Sequence, residues 1–311
     1  MAVQSLIDNH TISFTSGMRV EGPLTPNNFV APGEVVPFGN APIAGRPGLT
    51  MLNPPANFPM KSPEISGDTY SGVGFVSSGR LSRPEWLAGT PPVETFSLSF
   101  DTPGTYEYHC LVHQNFMTGS VEVAAATARD VPGPAEIDAK AQQEIAVLSG
   151  LMDRAKAQGE QAQSAPGPSN TSLWFVLAGN TQNQIEDRRV QLLEFLPKDV
   201  TVTAGDTVIW SSAFFHSVTF NPTAPDPERF LPEVQPDGSL IAVRNPAIFS
   251  PARPTAVFDP TQYYNSTPLG PNPPGRLSWA LTFERPGTFE YFCGIHREEG
   301  MKGSITVVPR S

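Results

Sequence analysis

The chain holds two cysteines, five histidines and seven methionines, and their spacing is ordered. Cys293, His296 and Met301 stand in a Cys-x2-His-x4-Met run. Cys110, His113 and Met117 stand in a Cys-x2-His-x3-Met run, one residue tighter. Far upstream of each run lies another histidine: His216 in Phe215-His216-Ser217-Val218-Thr219-Phe220, and His10 in Asn9-His10-Thr11-Ile12-Ser13-Phe14. Each set offers one thiolate, two imidazoles and one thioether. Two His and one Cys with a weak axial Met form the type 1 copper constellation, because sulfur suits Cu(I) and imidazole suits both oxidation states. Zinc fits less well, since structural zinc sites take four Cys or His ligands. Such donors meet only if a strand-end loop gathers Cys, His and Met while a neighbouring strand delivers the distant His.

The elements that must do this gathering are duplicated. Residues 95–123, TFSLSFDTPGTYEYHCLVHQNFMTGSVEV, and 277–307, LSWALTFERPGTFEYFCGIHREEGMKGSITV, run in the same order. Apolar alternation leads to Pro-Gly-Thr, aromatic-Glu-Tyr, Cys-x2-His, Met, Gly and a closing alternating strand. A repeat of this length marks a tandem duplication with about half the chain per copy. VQLLEF, VTVTAGDTVIW, HSVTF, LSWALTF, GTFEYFC and GSITVV are β-rich with period-2 stretches, which predicts short strands in an antiparallel Greek-key sandwich. Between the copies, 135–163 is rich in Ala, Gln and Glu and lacks Pro. There Ile137, Ala141, Ile145, Leu148, Met152 and Ala155 recur at helical spacing, which predicts a helix near 135–162 opened by Pro134. Its apolar stripe suits a spacer packed on a neighbouring domain. SAPGPSN at 164–170 reads as a linker. The expected organisation is all-β: a first sandwich over 1–124, a helical linker over 125–172 and a second sandwich over 173–311.

Composition narrows the classes further. Pro 34 and Gly 26 in 311 residues, with 16% charged, exclude a long-helix protein. A net charge of −10 and a pI near 5.0 argue against nucleic-acid binding. No apolar run approaches the roughly 18–20 residues of a membrane span, and the N-terminus shows no basic and apolar signal pattern. The Pro-rich stretches 22–63 and 221–274 read as loop decoration around the first ligand strand, with a partner surface as the alternative. The sequons at Asn9, Asn170 and Asn265 are short enough to occur by chance.

GTFEYFCGIHREEGMKGSITV resembles the copper-binding loop of plastocyanin and pseudoazurin, and AGDTVIW followed by His216-Ser217-Val218-Thr219 resembles their first ligand strand. The resemblance covers 190–309, apart from an enlarged middle loop. It implies two Greek-key cupredoxin sandwiches with one type 1 copper each. The ligands would be His216, Cys293, His296 and Met301 in the second domain, and His10, Cys110, His113 and Met117 in the first. The tighter first loop stays compatible, because the amicyanin loop is shorter still. The resemblance also implies His113 and His296 near the surface as electron portals, redox proteins as partners, and a periplasmic or extracellular location. Only nine residues precede His10, whereas strand sequence precedes His216 from Trp174 onward. The first domain is therefore expected to lack its opening strands, as with a misplaced start or a fragment whose N-terminus also held an export signal.

Two other classes compete. A multicopper oxidase needs His-x-His pairs, and the chain has none. A copper nitrite reductase places a His before the Cys, as His109 precedes Cys110, and another five residues after the first ligand His. Those positions are Thr15 and Asn221 here. With four histidines assigned, His109 alone cannot supply a three-His catalytic copper, so no catalytic residue is assigned. A copper store or surface-binding module is the remaining alternative.

Overall fold

Period-2 patterning becomes paired strands in both halves, and the protein is mostly β. In this computed structural model the described residues are 65–81, 95–161, 163–179, 190–213, 215–236, 238, 240–270 and 276–310. Before residue 65 they are 2–4, 12–16, 19–20, 29–31, 34–36, 40–42, 46, 49–52 and 59–61. The chain forms two compact units: Met1–Pro134 with Phe230–Arg244, and Ala135–Arg229 with Asn245–Ser311.

The first unit contains β1 (Ser13–Ser16), β2 (Gly74–Ser77), β3 (Gly104–Cys110) and β4 (Gln114–Val123). They pair antiparallel in the order β4-β3-β1-β2. Ile12, Phe14, Tyr70, Val76 and Leu98 fill its core. Phe14 packs its ring 5.3 Å from Tyr70 and 5.4 Å from Tyr108. Burial of such side chains contributes roughly 1.5–3 kcal/mol each.

Helix α1 (Pro134–Gly159) follows. Its last turns pack: Ala155 is buried, Leu148 and Leu151 are half-buried, and all three lie against Val190, Leu192 and Leu196. Gly159 is needed there, since a Cβ would meet Leu196 Cδ1 at 2.7 Å. Ile137, Ile145 and Met152 of the expected stripe are exposed. The stripe is longer than the strip of apolar surface it meets.

The second unit contains β5 (Ser172–Ala178), β6 (Asp199–Thr203), β7 (Asp206–Ser211) and β8 (Thr219–Phe220). The hairpin β9 (Phe230–Val234) and β10 (Leu240–Arg244) then belongs to the first unit, where β10 pairs with Thr50–Leu52. The chain returns through β11 (Tyr264–Asn265), β12 (Ser278–Phe283), β13 (Gly287–Phe292) and β14 (Lys302–Val308). One sheet runs β5-β7-β12 and the other β6-β14-β13-β8-β11. Alternation decides which side faces inward: Val200 and Val202, Val208 and Trp210, Trp279, Leu281 and Phe283, and Ile305 and Val307 are all buried. Gly205, at φ +94°, makes the turn between β6 and β7.

The pairing departs from a purely antiparallel sandwich. β5 runs parallel to β7, and β6 runs parallel to β14. Alternation within a strand reports its faces but not the direction of its partner.

Candidate metal centre

β8 and β13 lie side by side, with Thr219 opposite Phe292. This register brings the residues just before β8 to the end of β13. His216 arrives there anchored by its carbonyl, which accepts from Leu269 N at 2.6 Å. Cys293 follows the last residue of β13, and the chain then folds into a tight turn. The Met301 N–H donates to the His296 carbonyl at 3.1 Å, and the Cys293 N–H donates to the Met301 carbonyl at 3.0 Å.

These backbone bonds converge three donor atoms. His216 Nδ1 lies 3.0 Å from His296 Nδ1 and 4.0 Å from Cys293 Sγ, while His296 Nδ1 lies 3.7 Å from Sγ. The point equidistant from the three is about 2.1 Å from each, within the range of ordinary metal–nitrogen bonds and slightly inside that of metal–sulfur bonds. Among the described residues this is the one group of three or more His, Cys, Asp or Glu side chains with such convergence. Met301 is fully buried in the core beside Cys293. The donor set is the His2Cys combination that suits copper.

Burial sets the proton state of the donors. It pushes His216 down to about 3, which keeps the imidazole neutral. It also pushes the Cys293 thiol up, opposed by donors from the Ser217, Ile295 and His296 backbone and the Ser217 hydroxyl. Binding a metal here therefore displaces a thiol proton. The Ser217 N–H donates to Sγ at 3.3 Å, and the Gly294 N–H donates to Ser217 Oγ at 2.9 Å.

Sequence reasoning did not single out the groups behind His216. Gln191 places its amide 3.2 Å from His216 Nε2. Gly179, at φ +80°, passes so close that a Cβ would meet His216 Nε2 at 2.5 Å. Ser217 had a usable signal in its adjacency to His216. Gln191 had none, because it reaches the site from a segment 25 residues away.

In the first repeat the structure brings Cys110 and His113 together, with Sγ 3.5 Å from His113 Nδ1 and accepting from the His113 N–H at 3.4 Å. Cys110 is buried and His113 half-buried. His10 lies outside the described residues. Met117 is 36% exposed on β4, unlike the fully buried Met301. The tighter spacing has a consequence here: β4 begins at Gln114, directly after His113, and pairs Gln114 with Cys110. His109 is buried on β3 opposite Ser13, and burial pushes it down to about 4. Asn265 is fully buried and donates to three carbonyls, of Ala247, Ile248 and Ser250, which excludes it as a glycan acceptor in the folded protein.

A β-sandwich that gathers two imidazoles and a thiolate beside a buried Met has the architecture of the blue-copper cupredoxins. Chloroplastic plastocyanin of Physcomitrium patens is 29% identical over 141 residues, covering 45% of this chain and 65% of that protein. Plastocyanin of Scenedesmus fuscus is 30% identical over 117 residues, covering 37% of this chain and 87% of that protein. Among solved structures, oxidised plastocyanin from Dryopteris crassirhizoma shares 21% identity over 43% of this chain and 99% of that one, with a TM-score of 0.25. No protein-family model matches. The chain belongs to the plastocyanin family of cupredoxins. It spans just under two thirds of the Physcomitrium protein.

Proposed function

We propose that the chain is an electron carrier with one type 1 copper site per repeat. The observation that carries this reading is the donor triangle of His216, Cys293 and His296 around a point about 2.1 Å from each atom. Copper bound there supplies one-electron exchange between Cu(I) and Cu(II). The chain's own part is to hold the donors still. The Ser217 amide holds the thiolate, Gln191 and Gly179 fix the His216 ring, and the turn from His296 to Met301 fixes the remaining two donors. His216 is fully buried while His296 is half-buried, which favours His296 as the route to the surface. Cys110 and His113, with His10 and Met117, form the corresponding site of the first repeat. The shared strand register around both cysteines supports this second site.

The reading assigns no catalytic residue, because His109 is the single histidine beyond the proposed ligands. Partners are redox proteins, and the net charge of −10 favours docking to basic ones. No described helix is long and apolar enough to cross a membrane. A periplasmic or extracellular setting is part of the same proposal. The test is copper analysis with a visible spectrum and redox titration of the full chain. Two coppers per chain, intense thiolate-to-copper absorption and reversible reduction are expected. Tight Cu(I) binding without a coloured oxidised form overturns electron transfer in favour of storage.

A further inference from the structure

The enlarged loop after the first ligand strand reaches back to the copper-ligand turn. Arg229 stands near its start and is 8% exposed. Its Nη2 donates to Glu298 Oε2 at 3.2 Å and to both carboxylate oxygens of Glu299, at 3.2 and 3.3 Å. The Glu299 side chain is itself 9% exposed. Both glutamates belong to the stretch between His296 and Met301. Arg297 of the same stretch extends into the loop. Its Nη1 donates to the Pro227 carbonyl at 3.4 Å and lies 3.6 Å from Asp226 Oδ2, while its guanidinium lies 5.8 Å from the centre of the Phe292 ring. The turn between the two ligands is thus gripped by charges of alternating sign from 226–229. A guanidinium suits this task, because its planar, permanently charged head holds its donors in fixed directions, whereas an ammonium is a point charge on a flexible stem.

We infer that Arg229 is a positioning residue of the copper site, holding Glu298 and Glu299 so that His296 and Met301 keep their places before a metal arrives. This gives the opening of the Pro-rich insertion a task at the site. The inference rests on His296 and Met301 being ligands, and its main test does not need copper.

The experiment compares amide hydrogen exchange in the metal-free full chain for the parent, Arg229→Met, Arg229→Lys and Glu299→Gln. In Arg229→Met the amides of Gly300 and Met301 are expected to exchange at least about tenfold faster, with Ile305 and Val307 of β14 within about twofold of the parent. Arg229→Lys recovers part of that protection, and Glu299→Gln shows the same loop-selective loss. In the copper-loaded protein the ratio of the two thiolate-to-copper bands shifts in Arg229→Met and returns partway in Arg229→Lys. Unchanged loop amides and an unchanged band ratio overturn the inference, as does an equal rise in the β14 amides, which marks general loosening. Should Arg229→Met fail to fold, Glu299→Gln decides by the same amides. Failure to load copper at all overturns the carrier reading and leaves the exchange result standing.

Discussion

Replacing Gln191 by Leu tests the shell behind the metal. A metal held on His216 Nδ1 leaves the ring proton on Nε2, which then needs an acceptor. Gln191 sits 3.2 Å from that atom, and a half-turn of its amide presents the oxygen. Leucine of similar volume leaves a fully buried N–H unsatisfied, at a cost of roughly 1–3 kcal/mol. The metal-free protein escapes much of this cost, because the proton can sit on Nδ1 instead. The difference therefore falls on binding, as a loss of about 10- to 100-fold in copper affinity, the range usual for groups that orient a ligating histidine. Competition titration against a chelator of known affinity measures it, and thermal unfolding of the metal-free forms serves as control. Gln191→Glu should bind at least as tightly as the parent, since a carboxylate is the stronger acceptor. Copper affinity in Gln191→Leu within twofold of the parent would refute the role of this amide in orienting His216.

Three further outcomes are expected. Cys293→Ser should remove the copper and colour of the second repeat alone, halving the copper content; unchanged copper and colour would sink the ligand assignment. Gly179→Ala drives a methyl into His216 Nε2 across a gap of 2.5 Å at a positive φ, so it should both destabilise the fold by about 1–3 kcal/mol and distort the visible spectrum; a parent-like spectrum and melt count against the close approach. Asp206 is almost fully buried. Burial acts to raise its pKa, but donors from the Thr203 and Ser172 backbone, the Trp174 indole and the Arg310 guanidinium hold it below the usual carboxylate range. Its folded value lies below its unfolded one, so its stabilisation is complete above about pH 4 and fades as pH falls further. Asp206→Asn should thus cost about 2 kcal/mol at pH 7 and less at pH 3 in urea melts, and a cost independent of pH would contradict the assignment.

Much of the candidate site was legible because the proposed chemistry depends on rare residue types. Two cysteines and five histidines in fixed order leave few ways to build a copper site, and the period-2 runs around Trp210 and Leu281 announce the sheets that carry it. What escaped the sequence was whatever depends on which segments become neighbours. Gln191, the parallel pairing of β5 with β7, and the grip of Arg229 on Glu299 involve partners 25 to 70 residues apart, with no local pattern to report them. The helix illustrates the same limit. Spacing identified its apolar stripe, while only its last turns find a surface, because a stripe records what a face can bury and not how much surface is offered to it.

The two repeats agree at the level of register, which is a stricter likeness than motif spacing. In the first unit Ser13 of β1 faces His109 of β3; in the second, Thr219 of β8 faces Phe292 of β13. In both, the residue three places after the upstream histidine is registered with the residue just before the cysteine. A slip of one position would turn every side chain of the strand to the other face, so this register delivers the histidine's segment to the cysteine. Beyond the cysteine the copies diverge. In the second, the turn through Gly300 lets the chain fold inward and bury Met301. In the first, pairing resumes at Gln114, and Met117 lies on a strand with a third of its surface exposed. The thioether is the weakest of the four donors and tunes potential more than it holds metal. On the proposed reading of one copper per repeat, the thioether is where the copies differ, so the two sites are expected to differ in potential more than in their affinity for the ion.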